Sequence, residues 1–493
     1  MLATAAFGVL VTANSAGYRY GVSDQAFYIP AILRDVSPAF FPHDAPLLDA
    51  ESKLLVFDDA MAWLDQGTGW GLPALFFVGY LACVALYVIG VGSIGSSLYA
   101  SSWTVAAFGL ALTLRHRIVQ TGVNTFEGYF HTRVMAFGLG MVAIGALLRG
   151  RRMQAAVLMA AMFLLHPTTA AWFVVWIGVA FAMTSLTPWR WAIGGAGLIG
   201  LAGLWALLRG PLAGRLVVMD PAWVASLGER DYLFPTTDWG AGAWIANLAA
   251  PAVMVAIYRL RRRAELVSPQ ERGLFLGAVT LLAIFGASLP FVAAHLALAV
   301  QLQTSRVLWM VDLMATAYLV WAIAEARWRW PGISANVRAR ALVALLAVVS
   351  VLRGGYVLRV EHRNPLVAID LAPTPWLDAA HWASQHTAPG SNFLAHPGHV
   401  WKYGVSFRVA AERDTFLDIS KDPAIGIYSR DIAMRVAERR RLTNDFDTFT
   451  VDRFRALAAS HDLDYLIVDR QLPLPVVYTN GALFIYTLRT LPH

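Results

Sequence analysis

The first outer segment of the chain combines an acid with aromatic and proline residues. It reads Gly17-Tyr-Arg-Tyr-Gly-Val-Ser-Asp24-Gln-Ala-Phe-Tyr28-Ile-Pro30 and follows an apolar start. A carboxylate just after a membrane helix stands at the boundary of water and lipid, where a low local dielectric raises its basicity. Asp24 therefore suits a general base or a metal-linked acid. It also fits the N-cap of a helix predicted to begin near Gln25.

A second polar pair follows in the same segment, where Phe40-Phe-Pro42 leads into His43 and Asp44. An imidazole beside a carboxylate can bind a divalent cation, and we treat Mg²⁺ or Mn²⁺ as the candidate ion. The same pair can orient another polar group. A polar turn after Pro42 explains these residues equally well, so both interpretations stay open.

A third group precedes an apolar stretch and reads Asn124-Thr-Phe-Glu127-Gly-Tyr-Phe-His131-Thr-Arg133. An arginine at the end of a membrane helix is costly unless it pairs with an acid or binds an anion. Glu127, His131 and Arg133 are therefore candidates for binding a phosphate. The alternative for Arg133 is an interface anchor whose charged end reaches the water.

Two basic residues complete the candidate set. His166 precedes Pro167 inside a long apolar stretch, and a helix break there leaves carbonyl groups free to line a cavity. Arg306 follows Gln301-Leu-Gln-Thr-Ser at the predicted outer end of a later helix. A hydrogen-bonded core histidine and an interface anchor are the alternatives for these two residues.

Composition places these residues in a membrane protein. The chain has 493 residues, of which 57% are hydrophobic and 14% charged, whereas soluble domains are about 25% charged. The net charge of +7 comes with arginines in short clusters between apolar runs, so we predict membrane orientation signals and no nucleic acid partner. The single cysteine, Cys83, excludes an intramolecular disulfide and a cysteine-based metal site.

Apolar stretches predict about eleven membrane helices. A hydrocarbon core about 30 Å thick needs roughly 17 to 25 apolar residues per helix. Residues 1–16 lack the positive start of a secretory signal, so we expect a first membrane helix there. The small residues Asn14-Ser15-Ala16 leave a cleaved signal peptide as the alternative. The stretch 154–186 is expected to cross twice, with His166-Pro167 at the turn. The other predicted spans lie near residues 70–91, 97–114, 133–148, 189–208, 239–258, 273–296, 306–324 and 340–358.

Arginine clusters predict the orientation of these helices, because cytoplasmic loops carry an excess of positive charge. The clusters share one side if 154–186 crosses twice. They consist of Arg149, Arg151, Arg152, Arg261, Arg262, Arg263, Arg327, Arg329, Arg338 and Arg340. The loops 17–69, 115–132, 209–238 and 297–305 then lie outside, with the C-terminal residues. Arg115 and Arg117 depart from the rule, and we include Arg117 among the candidate phosphate ligands.

The character of the chain changes near residue 361. Short apolar runs near 392–395, 414–418, 464–469 and 482–486 predict strands. Helical periodicity occupies 375–388, 427–441 and 450–461 between them. We therefore predict a transmembrane domain over 1–360, containing the long first outer loop 17–69, and a small soluble extracytoplasmic α/β domain over 361–493.

At these residues the chain resembles the GT-C superfamily of multi-helix membrane glycosyltransferases, in a poorly characterised bacterial branch. The resemblance rests on the Tyr20 to Pro30 opening, on Phe41-Pro-His43-Asp44, on Glu127-Gly-Tyr-Phe-His131-Thr-Arg133 and on His166-Pro167. It implies a long first outer loop with an essential aspartate, eight to thirteen helices and a C-terminal outer domain. It also implies that Asp24 is the catalytic or metal-linked acid.

The resemblance further implies a polyprenyl-phosphate-linked sugar as donor, held through its phosphate by basic residues at the outer face. We expect Arg133, Arg306 and Arg117 to bind that phosphate. Glu127, His131, His166 and Tyr28 are added as substrate-binding candidates from their own positions in the sequence, and the resemblance gives the two histidines no role. The acceptor is expected to be a glycan, lipid or protein, and the location the bacterial inner membrane. Two alternatives remain: a transporter or flippase of a lipid-linked or anionic solute, and a non-catalytic envelope assembly protein.

Motifs of other enzyme classes are absent from the sequence. It contains no P-loop, no HExxH and no GxSxG, and no GxGxxG opens a helix after a predicted strand. ATP-driven transport and serine hydrolysis therefore lose support.

Overall fold

The computed structural model describes residues 2–52, 56–185, 188–210, 212–228, 230, 232–326 and 332–488. Arg327 and Arg329 of the predicted cytoplasmic clusters lie outside these ranges. Within them the chain forms two compact units. The first unit consists of Met1–Tyr18, Val78–Val218 and Arg230–Val367, and the second of Arg19–Phe77, Met219–Glu229 and Ala368–His493.

The second unit contains more than the predicted C-terminal domain. Its last segment begins at Ala368, close to the predicted boundary near residue 361, and Arg19–Phe77 accounts for most of the predicted outer loop 17–69. The short segment Met219–Glu229 joins the same unit through Trp223, whose indole N–H donates to the Gly426 carbonyl at 2.8 Å. Loop and C-terminal residues thus share one core.

Helices in the first unit cover the segments predicted as membrane spans. They are Leu2–Asn14, Leu72–Leu98 (continuing from the second unit), Ser102–Thr113, Thr132–Leu148, Arg152–Leu165, Pro167–Met183, Pro188–Leu208, Ala241–Arg263, Pro269–Ala293, Ala297–Leu302, Val307–Ala324 and Ala335–Tyr356. Shorter elements are the helix Pro235–Asp238, the 3-10 turn Thr304–Arg306, the π-turn Val357–Glu361 and the strand pair Arg117–Ile118 with Val123–Asn124. Tyr18–Arg19 forms a further short pair with Val367–Ala368.

Five helices in the described part of the chain are long and apolar enough to cross a membrane. They are Leu72–Leu98, Ala241–Arg263, Pro269–Ala293, Ala297–Ala324 and Ala335–Glu361. Shorter apolar helices accompany them, including Thr132–Leu148 and Pro167–Met183. The protein is therefore a multi-pass, mainly helical membrane protein, and the count of eleven crossings stays a prediction.

The break predicted at His166 and Pro167 is confirmed. Arg152–Leu165 ends there and Pro167–Met183 begins, with His166 outside the helical region at φ −155° and ψ 89°. Proline explains both facts, because its ring disfavours helical geometry in the preceding residue and its fixed φ suits the first position of a helix.

Small residues let the helices of this unit approach closely. A Cβ placed on Gly277 would lie 2.3 Å from the Trp176 carbonyl oxygen, so only glycine allows Pro269–Ala293 to pack against Pro167–Met183. In addition, the rings of Phe137 and Trp309 stack with centroids 3.8 Å apart. The interior of the bundle is thus filled by aromatic packing between helices.

The second unit contains a five-stranded sheet. Its spatial order is Asp414–Thr415, Asn392–Leu394, Tyr465–Val468, Phe484–Thr487 and Val476–Thr479. Pairing is parallel among the first three strands and antiparallel for the last two. The helices of this unit are Gln25–Val36, Ala45–Ser52, Phe57–Thr68, Pro221–Ser226, Pro375–His386, His399–Tyr403, Phe407–Ala411, Asp422–Ile425, Arg430–Leu442 and Val451–His461, with a 3-10 turn at Phe446–Thr448. The predicted strand and helix positions after residue 361 are confirmed. The strand Val476–Thr479 and the short helices His399–Tyr403, Phe407–Ala411 and Asp422–Ile425 were not predicted.

Candidate active site

Asp24 precedes the helix Gln25–Val36 but does not cap it with its side chain. Its carboxylate instead accepts a hydrogen bond from the Lys421 ammonium, with Nζ 2.7 Å from Oδ1. The Asp24 side chain is 34% exposed, so solvent reaches this ion pair. An acid with a cationic partner and open access can exchange a proton with a bound molecule.

The turn before Asp24 has a fixed shape. The amide N–H of Gly21 donates to the side-chain oxygen of Gln25 at 2.7 Å, and Gly21 has a φ of +75°. A Cβ on Gly21 would lie 2.7 Å from the Leu371 side chain and 3.0 Å from that of Val409. Glycine is therefore required here on both conformational and steric grounds.

Tyr28 lies one turn further along the same helix, and its ring is buried. It meets the ring of Phe57 edge-on, with centroids 5.8 Å apart. This contact anchors the helix that carries Asp24 to the helix Phe57–Thr68. A substrate contact for Tyr28 stays a prediction.

Asp44 is fully buried among arginines. Its carboxylate lies 2.7 Å from Arg408 Nε, 3.0 Å from Arg435 Nη2 and 3.6 Å from an Arg439 nitrogen. Burial by itself would raise the pKa of Asp44, but the charges of these three arginines outweigh burial and hold that pKa below its usual range. Asp44 thus has the surroundings of a structural ion pair.

The cluster around Asp44 extends into the C-terminal residues. Arg408 also binds Asp422 through two nitrogens, at 2.6 and 3.0 Å. Asp414 accepts hydrogen bonds from the backbone N–H groups of His43, at 3.2 Å, and Asp44, at 2.8 Å. Burial and the charge of Asp44 raise the pKa of Asp414. These contacts join the turn at His43 and Asp44 to the rest of the second unit.

Metal binding by His43 and Asp44 stays a prediction, and the fit is poor. Mg²⁺ and Mn²⁺ need several oxygen ligands, whereas both Asp44 oxygens lie against arginines. Across the described ranges no group of three or more His, Cys, Asp or Glu side chains is placed to hold an ion. We therefore derive no step through a metal.

In the first unit, Glu127 collects three polar partners. Its carboxylate lies 3.4 Å from Arg115 Nη2 and 3.5 Å from Arg133 Nη2, and it accepts a hydrogen bond from the Asn124 amide at 3.0 Å. The next residue has to be glycine, because a Cβ on Gly128 would lie 2.3 Å from the Ser15 carbonyl oxygen. The Glu127-Gly128 motif thus places an acid between two arginines.

His131 and His166 each cap a helix. His131 Nδ1 accepts the N–H of Arg133 at 3.1 Å, and His166 Nδ1 accepts the N–H of Thr169 at 3.2 Å. When Nδ1 accepts a hydrogen bond, a neutral imidazole carries its proton on Nε2. The centroids of the two imidazole rings lie 6.2 Å apart, so the two capping histidines are neighbours.

Arg306 lies where the 3-10 turn Thr304–Arg306 passes into the helix Val307–Ala324. Its guanidinium charge acts on His166, as does that of Arg133. The structure therefore brings together four of the predicted basic residues, with Glu127 bound to Arg133. Arg117 is exposed in the short strand Arg117–Ile118.

Three functional candidates were missed by sequence reasoning. Lys421 and Arg408 were missed because Asp24 and Asp44, the candidate acids that they contact, lie 397 and 364 residues before them in the chain. The third is the pair His116 and Asp312, with Nδ1 2.9 Å from Oδ2. An acid inside the apolar helix Val307–Ala324 is a signal that could have been used.

Solved structures share this architecture. The arabinofuranosyltransferase AftD from Mycobacteria superposes over all of this chain with a TM-score of 0.54 at 15% identity. The chain therefore shares the fold of this protein over its whole length. It spans only 40% of the AftD chain. The predicted GT-C-like resemblance is thus confirmed for the fold.

Two structures of an oligosaccharyltransferase from Archaeoglobus fulgidus also match. One is AglB with an inhibitory peptide and a dolichol-phosphate, at a TM-score of 0.44 and 12% identity, and the other is the apo form, at 0.43 and 11%. Each match covers 95% of this chain and 69% of the other chain. No protein-family model and no curated protein sequence matches.

Proposed function

We propose that this protein is an inner-membrane glycosyltransferase that moves a sugar from a polyprenyl-phosphate carrier to an extracytoplasmic acceptor hydroxyl. The observation that carries the proposal is Asp24, a solvent-accessible carboxylate held 2.7 Å from Lys421 in a chain with a GT-C-like fold. An acid of this kind can take a proton from an alcohol during displacement.

Asp24 acts as the general base in this proposal. It accepts the proton of the acceptor hydroxyl while that oxygen forms a bond to the anomeric carbon. The bond from that carbon to the carrier phosphate oxygen breaks, and the polyprenyl phosphate leaves with the electron pair. A single displacement of this kind inverts the anomeric configuration.

Lys421 supports Asp24 in its role as the general base. A cation close to a carboxylate favours its charged form, which is the form that accepts a proton. Because this ion pair is partly exposed, an acceptor hydroxyl can approach the carboxylate without breaking into a buried core. Lys421 is a positioning residue in this scheme, since it acts through Asp24.

The basic residues of the first unit bind the donor phosphate. Arg133 and Arg306 supply charge, and His131 and His166 supply N–H donors, which together suit a phosphate monoester or diester. Glu127 orients Arg133 through their contact at 3.5 Å. Arg117 is exposed on a neighbouring strand and adds long-range attraction for an anion.

Replacing Arg306 with glutamine tests this assignment. A charge-assisted hydrogen bond contributes roughly 1.5–3 kcal/mol, so we expect the KM for the donor to rise at least about tenfold. The measurement is release of polyprenyl phosphate from a synthetic polyprenyl-phosphate sugar by purified protein in lipid nanodiscs.

Arg149→Gln is the matched control, because it removes the same charge from the end of another helix in the same unit. It should leave the donor KM unchanged. An Arg306→Gln protein with the wild-type KM would contradict the assignment. If wild-type protein binds the polyprenyl-phosphate sugar but releases no polyprenyl phosphate, the transporter alternative is favoured.

A further inference from the structure

A cleft of about 240 Å³ opens in the second unit beside the Asp24 and Lys421 ion pair. Val22, Ser23, Trp401, Ser420 and Lys421 are among its lining residues. A cleft of this volume can admit a small polar molecule such as one sugar ring. None of these lining residues was singled out from the sequence.

Trp401 is an aromatic lining residue of the cleft, and 72% of the residue is exposed. Aromatic side chains that line a cleft are a common feature of binding sites. It lies in the one-turn helix His399–Tyr403, which ends in a left-handed turn at Gly404 with φ +91°. The ring edge packs over Gly398, where an added Cβ would lie 3.2 Å from it. An apolar face held in this way can stack against the C–H face of a sugar ring.

Another part of the lining is polar. Lys421 Nζ lies 3.2 Å from Ser23 Oγ and 2.7 Å from Asp24 Oδ1. Sugar hydroxyls both donate and accept, so they match a carboxylate and an ammonium group placed side by side. The neighbouring Ser420 is held in place because its hydroxyl and its N–H both donate to Asp418.

Charge balance distinguishes the kinds of ligand that fit. Lys421 is the basic lining residue, and Asp24 neutralises it at 2.7 Å. An anionic headgroup would have to displace Asp24 from its partner, whereas a neutral sugar only adds hydrogen bonds. An aromatic face, a hydroxyl and a balanced ion pair therefore favour an uncharged carbohydrate.

We infer that this cleft binds the terminal sugar ring of a glycan acceptor, with Trp401 under its C–H face and Ser23 and Lys421 at its hydroxyls. This inference rests on the proposed function and narrows it, since it selects a glycan among the possible acceptors. It also places the reacting hydroxyl beside the Asp24 carboxylate.

Binding of simple sugars tests the inference without any transfer reaction. The full-length protein in nanodiscs is titrated with methyl glycosides in pyranose and furanose forms, and binding is followed by saturation-transfer NMR. Wild type should bind at least one of them. We expect Trp401→Ala to weaken that binding at least about tenfold, which corresponds to the loss of one well-packed aromatic contact.

Two variants serve as comparison. Trp401→Phe keeps an aromatic face and should retain most of the binding. Trp63→Ala removes another tryptophan of the second unit with the same exposed fraction, 72%, and should bind as wild type does. Equal weakening by Trp63→Ala and Trp401→Ala would overturn the inference, as would wild type that binds none of the glycosides.

The outcome also separates this inference from the proposed function. If wild type transfers sugar and Trp401→Ala binds methyl glycosides with unchanged affinity, the cleft assignment fails and the transfer reaction stands. If Trp401→Ala loses binding but wild type releases no polyprenyl phosphate, the cleft is a sugar-binding site and the proposed transfer fails.

Discussion

Asp24→Asn is expected to lower sugar transfer by about 10²–10⁴-fold, the range typical of general acid–base catalysis. Asparagine has nearly the same shape but cannot accept the proton of the acceptor hydroxyl. The measured quantity is the rate of transfer from a polyprenyl-phosphate sugar at saturating donor. The KM for the donor should change little, because the residues proposed to bind its phosphate lie elsewhere in the chain.

Asp35→Asn is the control for this variant. It makes the same chemical change at an exposed position of the same helix, Gln25–Val36, and should transfer sugar at the wild-type rate. Folding of Asp24→Asn should be retained, since partly exposed ion pairs contribute little to stability. Full transfer by a folded Asp24→Asn protein would remove Asp24 from the mechanism.

Arg408→Met is expected to destabilise the second unit by ~3–5 kcal/mol, the usual effect of removing one partner from a buried ion pair. Arg408 is fully buried between Asp44 and Asp422, at 2.7 and 2.6 Å. Without it, both carboxylates stay in the core with fewer positive partners. The measurement is thermal unfolding in detergent, read as a lower unfolding temperature.

The control is Arg430→Met, which removes an exposed pair with Asp220 in the same unit. It should unfold close to the wild-type temperature. Should Arg408→Met fail to fold at all, Arg439→Gln gives a milder version, because its contact with Asp44 is longer, at 3.6 Å. Wild-type stability in both Arg408→Met and Arg439→Gln would show that the buried cluster contributes nothing.

Local patterns were sufficient for much of the fold. Apolar runs located the helices, and proline chemistry located the break at His166. Val476–Thr479 was missed although its Val-Val-Tyr-Thr sequence favours a strand. Pro473 and Pro475, just before it, argue against a strand when only the sequence is considered. The strand lies at the edge of the sheet, however, where proline is tolerated.

Long-range pairing could not be predicted. The partners of Asp24 and Asp44 lie 397 and 364 residues later in the chain, so no spacing rule connects them. The sequence identified both acids as candidates but could not show that Asp44 is buried among arginines while Asp24 is accessible. That difference depends on tertiary contacts.

The charge pattern of the sequence also failed to reveal a buried ion pair. Arg261 belongs to a cluster that predicts a cytoplasmic loop, yet the residue is only 2% exposed and its guanidinium lies 2.7 Å from the Glu271 carboxylate. The guanidinium also lies 4.7 Å from the ring centre of Trp321. The positive-inside rule concerns the number of charges near a helix end and not whether each one faces water.

Sugar transfer outside the cytoplasm requires that Asp24 and the C-terminal residues face away from the arginine clusters. Single cysteines at Asp35, Thr168, Arg262 and Asp469 in a Cys83→Ala background test this with a membrane-impermeant maleimide. We predict labelling at positions 35, 168 and 469 in intact cells, and at 262 only after permeabilisation. Labelling at 262 in intact cells, with 35 and 469 protected, would contradict an extracytoplasmic active site.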